Sequence, residues 1–120
     1  MSTVIFNNNG MIEINKDVIG KLAGIAVTQC FGIIGMVSSR KISDGLSDIL
    51  GRDALSKGVE VISDKNTGLV IRVNVVVCYG TNISMIAANI MENVKFTVEK
   101  YTKLKVASVD VNIAGVRVLD

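Results

Sequence analysis

Few residues in this chain could do covalent or acid–base chemistry, and their spacing argues against most of it. The sequence has no histidine, so a serine or cysteine nucleophile would need a lysine or a carboxylate as its base. Its two cysteines, Cys30 and Cys78, fall inside apolar patterns. Nothing electropositive stands near either to lower a thiol pKa, so both read as buried, reduced thiols. They also lack the spacing of metal ligands. Asp44 and Asp48 stand one helical turn apart, but on a short polar segment they read as solubilising residues. A hard cation needs several converging oxygen ligands, and no local cluster supplies them. No catalytic, metal-binding or cofactor-binding residue is therefore expected.

Three features could bind rather than react. The corner Gly80-Thr81-Asn82 joins a long strand to a helix, and free N–H groups at a helix start attract anions. Thr81 and Asn82 are also the residue types that cap a helix, and capping outweighs anion binding as the reading. Gly32-Ile33-Ile34-Gly35 superficially matches the GxxG loop of KH-type RNA binders, with Arg40 and Lys41 nearby. In those domains the loop joins two helices and carries a basic residue, whereas here both spacers are isoleucine and a strand follows. Finally, Met85 and Phe96 project from the polar side of the second helix and flank Glu92. The chain has only three phenylalanines, and one of them on a solvent face marks a candidate contact with another protein or a second subunit.

The elements that position these residues follow from periodicity. Met11–Ile14 reads as a short strand, after which Asn15 caps a helix running to about Cys30. Val18, Ile19, Leu22, Ala23, Ala26 and Cys30 form its expected core face. Gly20 and Gly24 each cost about 1 kcal/mol relative to alanine, which points to close approach by another backbone. Ile33–Val37 reads as a strand, and a short helix is expected from Ser43 or Asp44 through Leu50. Val59–Ile62 and Leu69–Tyr79 read as a hairpin around the turn Ser63–Gly68. Leu69, Ile71, Val73, Val75, Val77 and Tyr79 share one face of the long strand, while the other face is polar in its middle at Arg72 and Asn74. The second helix, about Ile83 to Tyr101, carries an apolar stripe of Ile83, Ile86, Ala87, Ile90, Val94, Thr97, Val98 and Tyr101. Glu92, Lys95, Glu99 and Lys103 are expected to pair along its far side. In the last strand the alternation changes parity after Ala114-Gly115, which predicts a bulge at Gly115.

Composition narrows the function classes. The 120 residues are 49% hydrophobic and 20% charged, the balance of one ordinary globular domain spanning 1–120. A net charge of +2 does not drive binding to a polyanion, so nucleic acid is an unlikely partner. The N-terminus lacks the pattern of a secretory signal, and no apolar run is long enough to span a bilayer. A cytoplasmic location is expected. The fold expectation is α+β: a two-layer sandwich with a mixed, mostly antiparallel sheet and two main helices on one face.

Several motifs recur in order along nearly the whole chain. They are Gly10-x-Ile-x-Ile with Val18-Ile-x-x-Leu-Ala-x-Ile-Ala, then Gly32-Ile-Ile-Gly-Met36, then Gly45-Leu-x-x-x-Leu-Gly-Arg52. Gly58-Val-Glu-Val, Tyr79-Gly80, Tyr101-Thr102 and Val109-Asp-Val-Asn-Ile with Gly115-Val follow. Together they resemble the alkaline shock, or Gls-type general stress, family of chiefly Gram-positive bacteria, which serves the envelope stress response. Cys30-Phe31 departs from it, standing where the family usually has an acidic residue followed by valine. The chain also lacks the long charged extensions of some members. The resemblance implies a small, non-enzymatic cytosolic interaction or scaffold protein in envelope or lipid homeostasis. It further implies protein partners, such as a membrane anchor that holds the protein at the membrane or a lipid-synthesis enzyme; a homo-oligomer is the expectation where Met85 and Phe96 meet a second subunit. Binding of a small anionic ligand or RNA is the alternative.

Overall fold

A strand rich in valine and isoleucine makes Gly68–Cys78 the centre of the fold. The structure is a computed structural model that describes residues 3–7, 11–38, 49–64 and 66–118. In chain order its elements are β1 (Thr3–Asn7), β2 (Met11–Asn15), α1 (Lys16–Thr28), β3 (Ile33–Met36), a 3-10 helix (Arg52–Gly58), β4 (Val59–Asp64), β5 (Gly68–Cys78), α2 (Ile83–Thr102) and β6 (Val106–Arg117). β1 and β2 form a separate antiparallel ribbon. The main sheet is mixed, with β3 and β4 antiparallel to β5 and β6 parallel to it. Parallel neighbours require a crossover, and α2 supplies it.

β6 occupies one edge of β5 along its length, while β4 and β3 divide the other edge. β4 pairs with residues 68–73 and β3 with residues 75–77. Asn74 sits at the break and fills it. Its carbonyl accepts from the Val37 N–H at 3.2 Å, and its side-chain amide donates to the Gly58 carbonyl at 3.3 Å. Its side-chain oxygen accepts from Asn112 at 3.0 Å. A buried amide is tolerable because it is bonded in this way. Arg72, one pair along, lies between Glu60 at 3.7 Å and Asp110 at 3.3 Å. The open face of the sheet is thus polar in its middle, as the alternation of β5 predicts.

Both helices cover the opposite face, where Ile71, Val73, Val75 and Val77 are fully buried against Ile19, Ala23, Ile90, Val94 and Val98. The helices run antiparallel: Ile86 packs against Gly32 just past the end of α1, and Asn93 donates to the Ala26 carbonyl at 2.7 Å. Gly20 and Gly24 lie against the 3-10 helix, where a Cβ on Gly24 would stand 2.8 Å from the Leu55 Cβ. The close approach expected of the two glycines is therefore present, and its partner is Ser56 and Leu55.

Burial corrects the helix faces in detail. Contact with the 3-10 helix places Gly20 and Gly24 on the buried face of α1 and leaves Val18 exposed. In α2 the buried row is Ile86, Ile90, Val94, Val98 and Thr102. A step of four residues drifts around the axis by about 40°, so by the last turn the row reaches Thr102, and Tyr101 and Ile83 stand exposed. The far side of α2 has no ion pair among its described residues. Glu99 instead accepts from the Val106 N–H at 2.9 Å, holding the start of β6.

Residues 39–48, and with them most of the expected short helix and the Arg40-Lys41 linker, lie outside the described residues. Its described end is not helical: Ile49 bridges Val37, and the Leu50 N–H donates to the Met36 carbonyl at 2.7 Å. The predicted bulge is present, with Val75 opposite Ile113 and Val76 opposite Gly115, so that Ala114 is the extra residue. No described helix is long and apolar enough to cross a membrane.

Candidate functional site

The strand-to-helix corner uses its polar groups on itself. Gly80 turns the chain at φ +90°, a left-handed conformation that glycine adopts without strain. The Thr81 hydroxyl donates back to the Cys78 carbonyl at 2.6 Å. The Asn82 side chain accepts from the Met85 N–H at 3.2 Å, an N-cap for α2. At the other glycine motif, a Cβ on Gly32 or Gly35 would run into Ile86 or Ile49 respectively, so these glycines admit packing neighbours.

The cysteines are both free and half-buried. The Cys30 thiol donates to the Ala26 carbonyl at 3.5 Å and accepts from Asn93 at 3.9 Å. Burial pushes its pKa up, and the Asn93 contact opposes that only in part. The thiol is therefore protonated at neutral pH and a poor nucleophile. Among the described residues no three His, Cys, Asp or Glu side chains converge as metal ligands would.

Exposed apolar area concentrates on the outer face of the helix layer. Met85, Asn89, Glu92 and Phe96 recur at spacings of four, three and four, which puts them on one side of α2. Met85 is 63% exposed and Phe96 64%. Glu92 is exposed too and makes no ion pair among the described residues. Beside this row lies an open groove of about 700 Å³. Phe96, Glu92, Asn89 and Asn93 of α2 line it with Gln29, Cys30 and Phe31 from the end of α1. Two of the three predicted contact residues thus line the groove, and Met85 lies on the same helix face a short way beyond it.

Sequence reasoning missed Phe31, the most exposed large apolar residue among those described, at 81%. The signal was available: it is one of only three phenylalanines and follows the last helical turn, where no core position calls for an aromatic. The Lys100 ammonium lies 5.7 Å from the Phe96 ring centre and 5.4 Å from that of Tyr101, a cation–π arrangement that holds the charge against this face. Val18 and Ile25, seven residues apart and partly exposed, add to the outer surface of α1.

This surface can bind by burying aromatic rings against an apolar partner, with amides and one carboxylate to orient it.

Comparison with known proteins gives one family and several relatives. The sequence profile of the alkaline shock protein 23 family, described as having a cell envelope-related function, matches residues 5–118. The uncharacterized protein YloU of Bacillus subtilis is 40% identical over 118 residues, which are 98% of this chain and 98% of that protein. Spy1614, an uncharacterized protein of Streptococcus pyogenes, is 34% identical over 119 residues, covering 99% of this chain and 98% of the relative. A second uncharacterized Bacillus subtilis protein, YqhY, is 31% identical over 109 residues, or 90% of this chain and 78% of its own length. No solved structure is found to match.

Proposed function

Because the chain belongs to the alkaline shock protein 23 family, whose function is related to the cell envelope, we propose that it is a non-enzymatic docking module for envelope homeostasis. It works in the cytoplasm and reaches the membrane through a protein partner, either a membrane anchor or a lipid-synthesis enzyme. The observation that carries this reading is the pair of exposed aromatics, Phe31 and Phe96, which line one groove together with side-chain amides and a protonated thiol. Aromatic residues in such a setting are the usual anchors of protein interfaces. The titratable groups near them are Glu92, Lys100 and Cys30, whose thiol burial holds in its protonated form.

The test is capture of partners from the native cells with the wild-type chain and with a Met85→Glu, Phe96→Glu double variant. The wild type retains the anchor or enzyme, and the variant loses it while keeping the same melting temperature. Equal recovery of that partner by both chains, or turnover of a metabolite by the purified protein, contradicts the reading.

A further inference from the structure

Phe96 is the midpoint of a sequence that is complementary to itself. Four residues before it stands Glu92, and four residues after it stands Lys100; seven before and seven after stand Asn89 and Lys103. All five side chains are exposed; Asn89, Glu92, Phe96 and Lys100 fall on one side of α2, and Lys103 is the left-handed cap just past its C-terminal end. Glu92 has no ion pair among the described residues, and the Lys100 ammonium already rests over the Phe96 ring.

We propose that the occupant of this face is a second copy of the chain, with α2 packed antiparallel on α2 across a two-fold axis at Phe96. In a two-fold contact the same patch is used on both sides, so each residue faces the one equally distant beyond the centre. Phe96 then meets the partner's Phe96, and the groove between Phe31 and Phe96 gives the incoming ring a seat. Glu92 meets the partner's Lys100, and Lys100 meets the partner's Glu92, so both charge pairs form at once. Asn89 falls opposite the partner's Lys103, a neutral acceptor for a cation. A parallel arrangement of the same two helices sets like charges together at each level, which specifies the antiparallel one. The contacting stretch from Glu92 to Lys100 is about 12 Å long at 1.5 Å per residue, short enough that crossing helices stay in contact along it.

This inference rests on the reading of the helix face as a docking surface and takes a second copy, rather than the anchor or enzyme, as what covers Phe96. It is tested with the full-length chain by analytical ultracentrifugation over a range of concentration. The wild type is expected to be a dimer that dissociates on dilution. Glu92→Lys alone and Lys100→Glu alone each place like charges on both sides of the axis, and each is expected to weaken the dimer about tenfold or more. An equimolar mixture of the two variants is expected to recover wild-type association, because every pair in the mixed dimer is again opposite in sign. The mixture also serves as the folding control, since two misfolded chains do not restore each other.

A wild-type chain that stays monomeric at all concentrations overturns the proposal. So does a dimer that is insensitive to both reversals, or a mixture that stays as weak as its components. These failures are distinct from failure of the docking reading. A monomer that still loses its cellular partner on the Met85→Glu, Phe96→Glu change keeps the docking surface and excludes only the self-pairing.

Discussion

On the open face of the sheet, Arg72 lies between Glu60 and Asp110, and Asn74 joins Asn112 to the Gly58 carbonyl. On the outer face of the helix layer, Phe31, Met85 and Phe96 stand in water and Glu92 has no charged partner among the described residues. The open face of the sheet is the more obvious place to look for a binding surface, and the docking proposed above does not use it. Its polar groups are matched within the chain, so water can cover it at little cost. The helix face leaves apolar area exposed, and each square ångström later covered by a partner returns about 25 cal/mol. The proposed docking therefore follows the unmatched surface rather than the open sheet.

The largest effect that sharpens this contrast is on association. Replacing both Met85 and Phe96 with glutamate is expected to weaken binding by at least about 30-fold, the scale of losing an interface anchor. Folding stability should move by less than about 0.5 kcal/mol, because both side chains are exposed. Next comes a change that acts the other way. Asn74→Leu removes the amide that fills the break between β3 and β4, leaving the Gly58 carbonyl and the Asn112 amide short of a partner. Urea unfolding should show a loss of about 1–3 kcal/mol, with association of the folded fraction unaltered. If Asn74→Leu abolishes docking at full folding, the sheet face carries function and the contrast fails.

Smaller still is Arg72→Ala. Its ion pairs are half exposed and screened, so the expected loss is below about 1 kcal/mol and shrinks further as salt is added. The same substitution should leave association untouched.

The sequence disclosed the centre of the fold and the aim of one helix face, for reasons that can be traced to particular residues. The placing of Arg72 and Asn74 on one face of β5, the Ser63–Gly68 turn and the parity change at Ala114 are local signals, and each corresponds to an observed feature. Asp64 accepts from the Asn66 N–H at 2.9 Å, a local bond of the kind that turn residues advertise, and this bond holds its carboxyl below the usual carboxylate range. The 3-10 helix went unseen because its burial depends on Gly20 and Gly24, more than thirty residues earlier in the chain. β1 was hidden because its strand partner among the described residues is β2, across an asparagine-rich stretch that reads as turn. Asn74 was legible as polar but not as a junction, since two strands sharing one edge leave no periodic trace. Met85, Glu92 and Phe96 could be placed by helical spacing alone, whereas Phe31 joins them only through the tertiary packing of α1 against α2.

The two cysteines give each face its own probe. Cys30 lies in the groove of the helix layer, and Cys78 points with Arg72 and Asn74 toward the open face of the sheet. Burial raises the Cys30 pKa, so its alkylation at neutral pH should be slower than that of a cysteine in a free peptide and should accelerate as the pH rises. The same shift has a sign for stability. The unfolded chain gives up its Cys30 proton at a lower pH than the folded one, so raising the pH through the thiol range costs the native state a little stability.

Mass-spectrometric alkylation rates at Cys30 and Cys78, compared between associated and dissociated protein at one pH, test the central claim most directly. Association through the helix face protects Cys30 and leaves the rate at Cys78 unchanged. Protection of Cys78 with Cys30 still freely labelled would contradict the account.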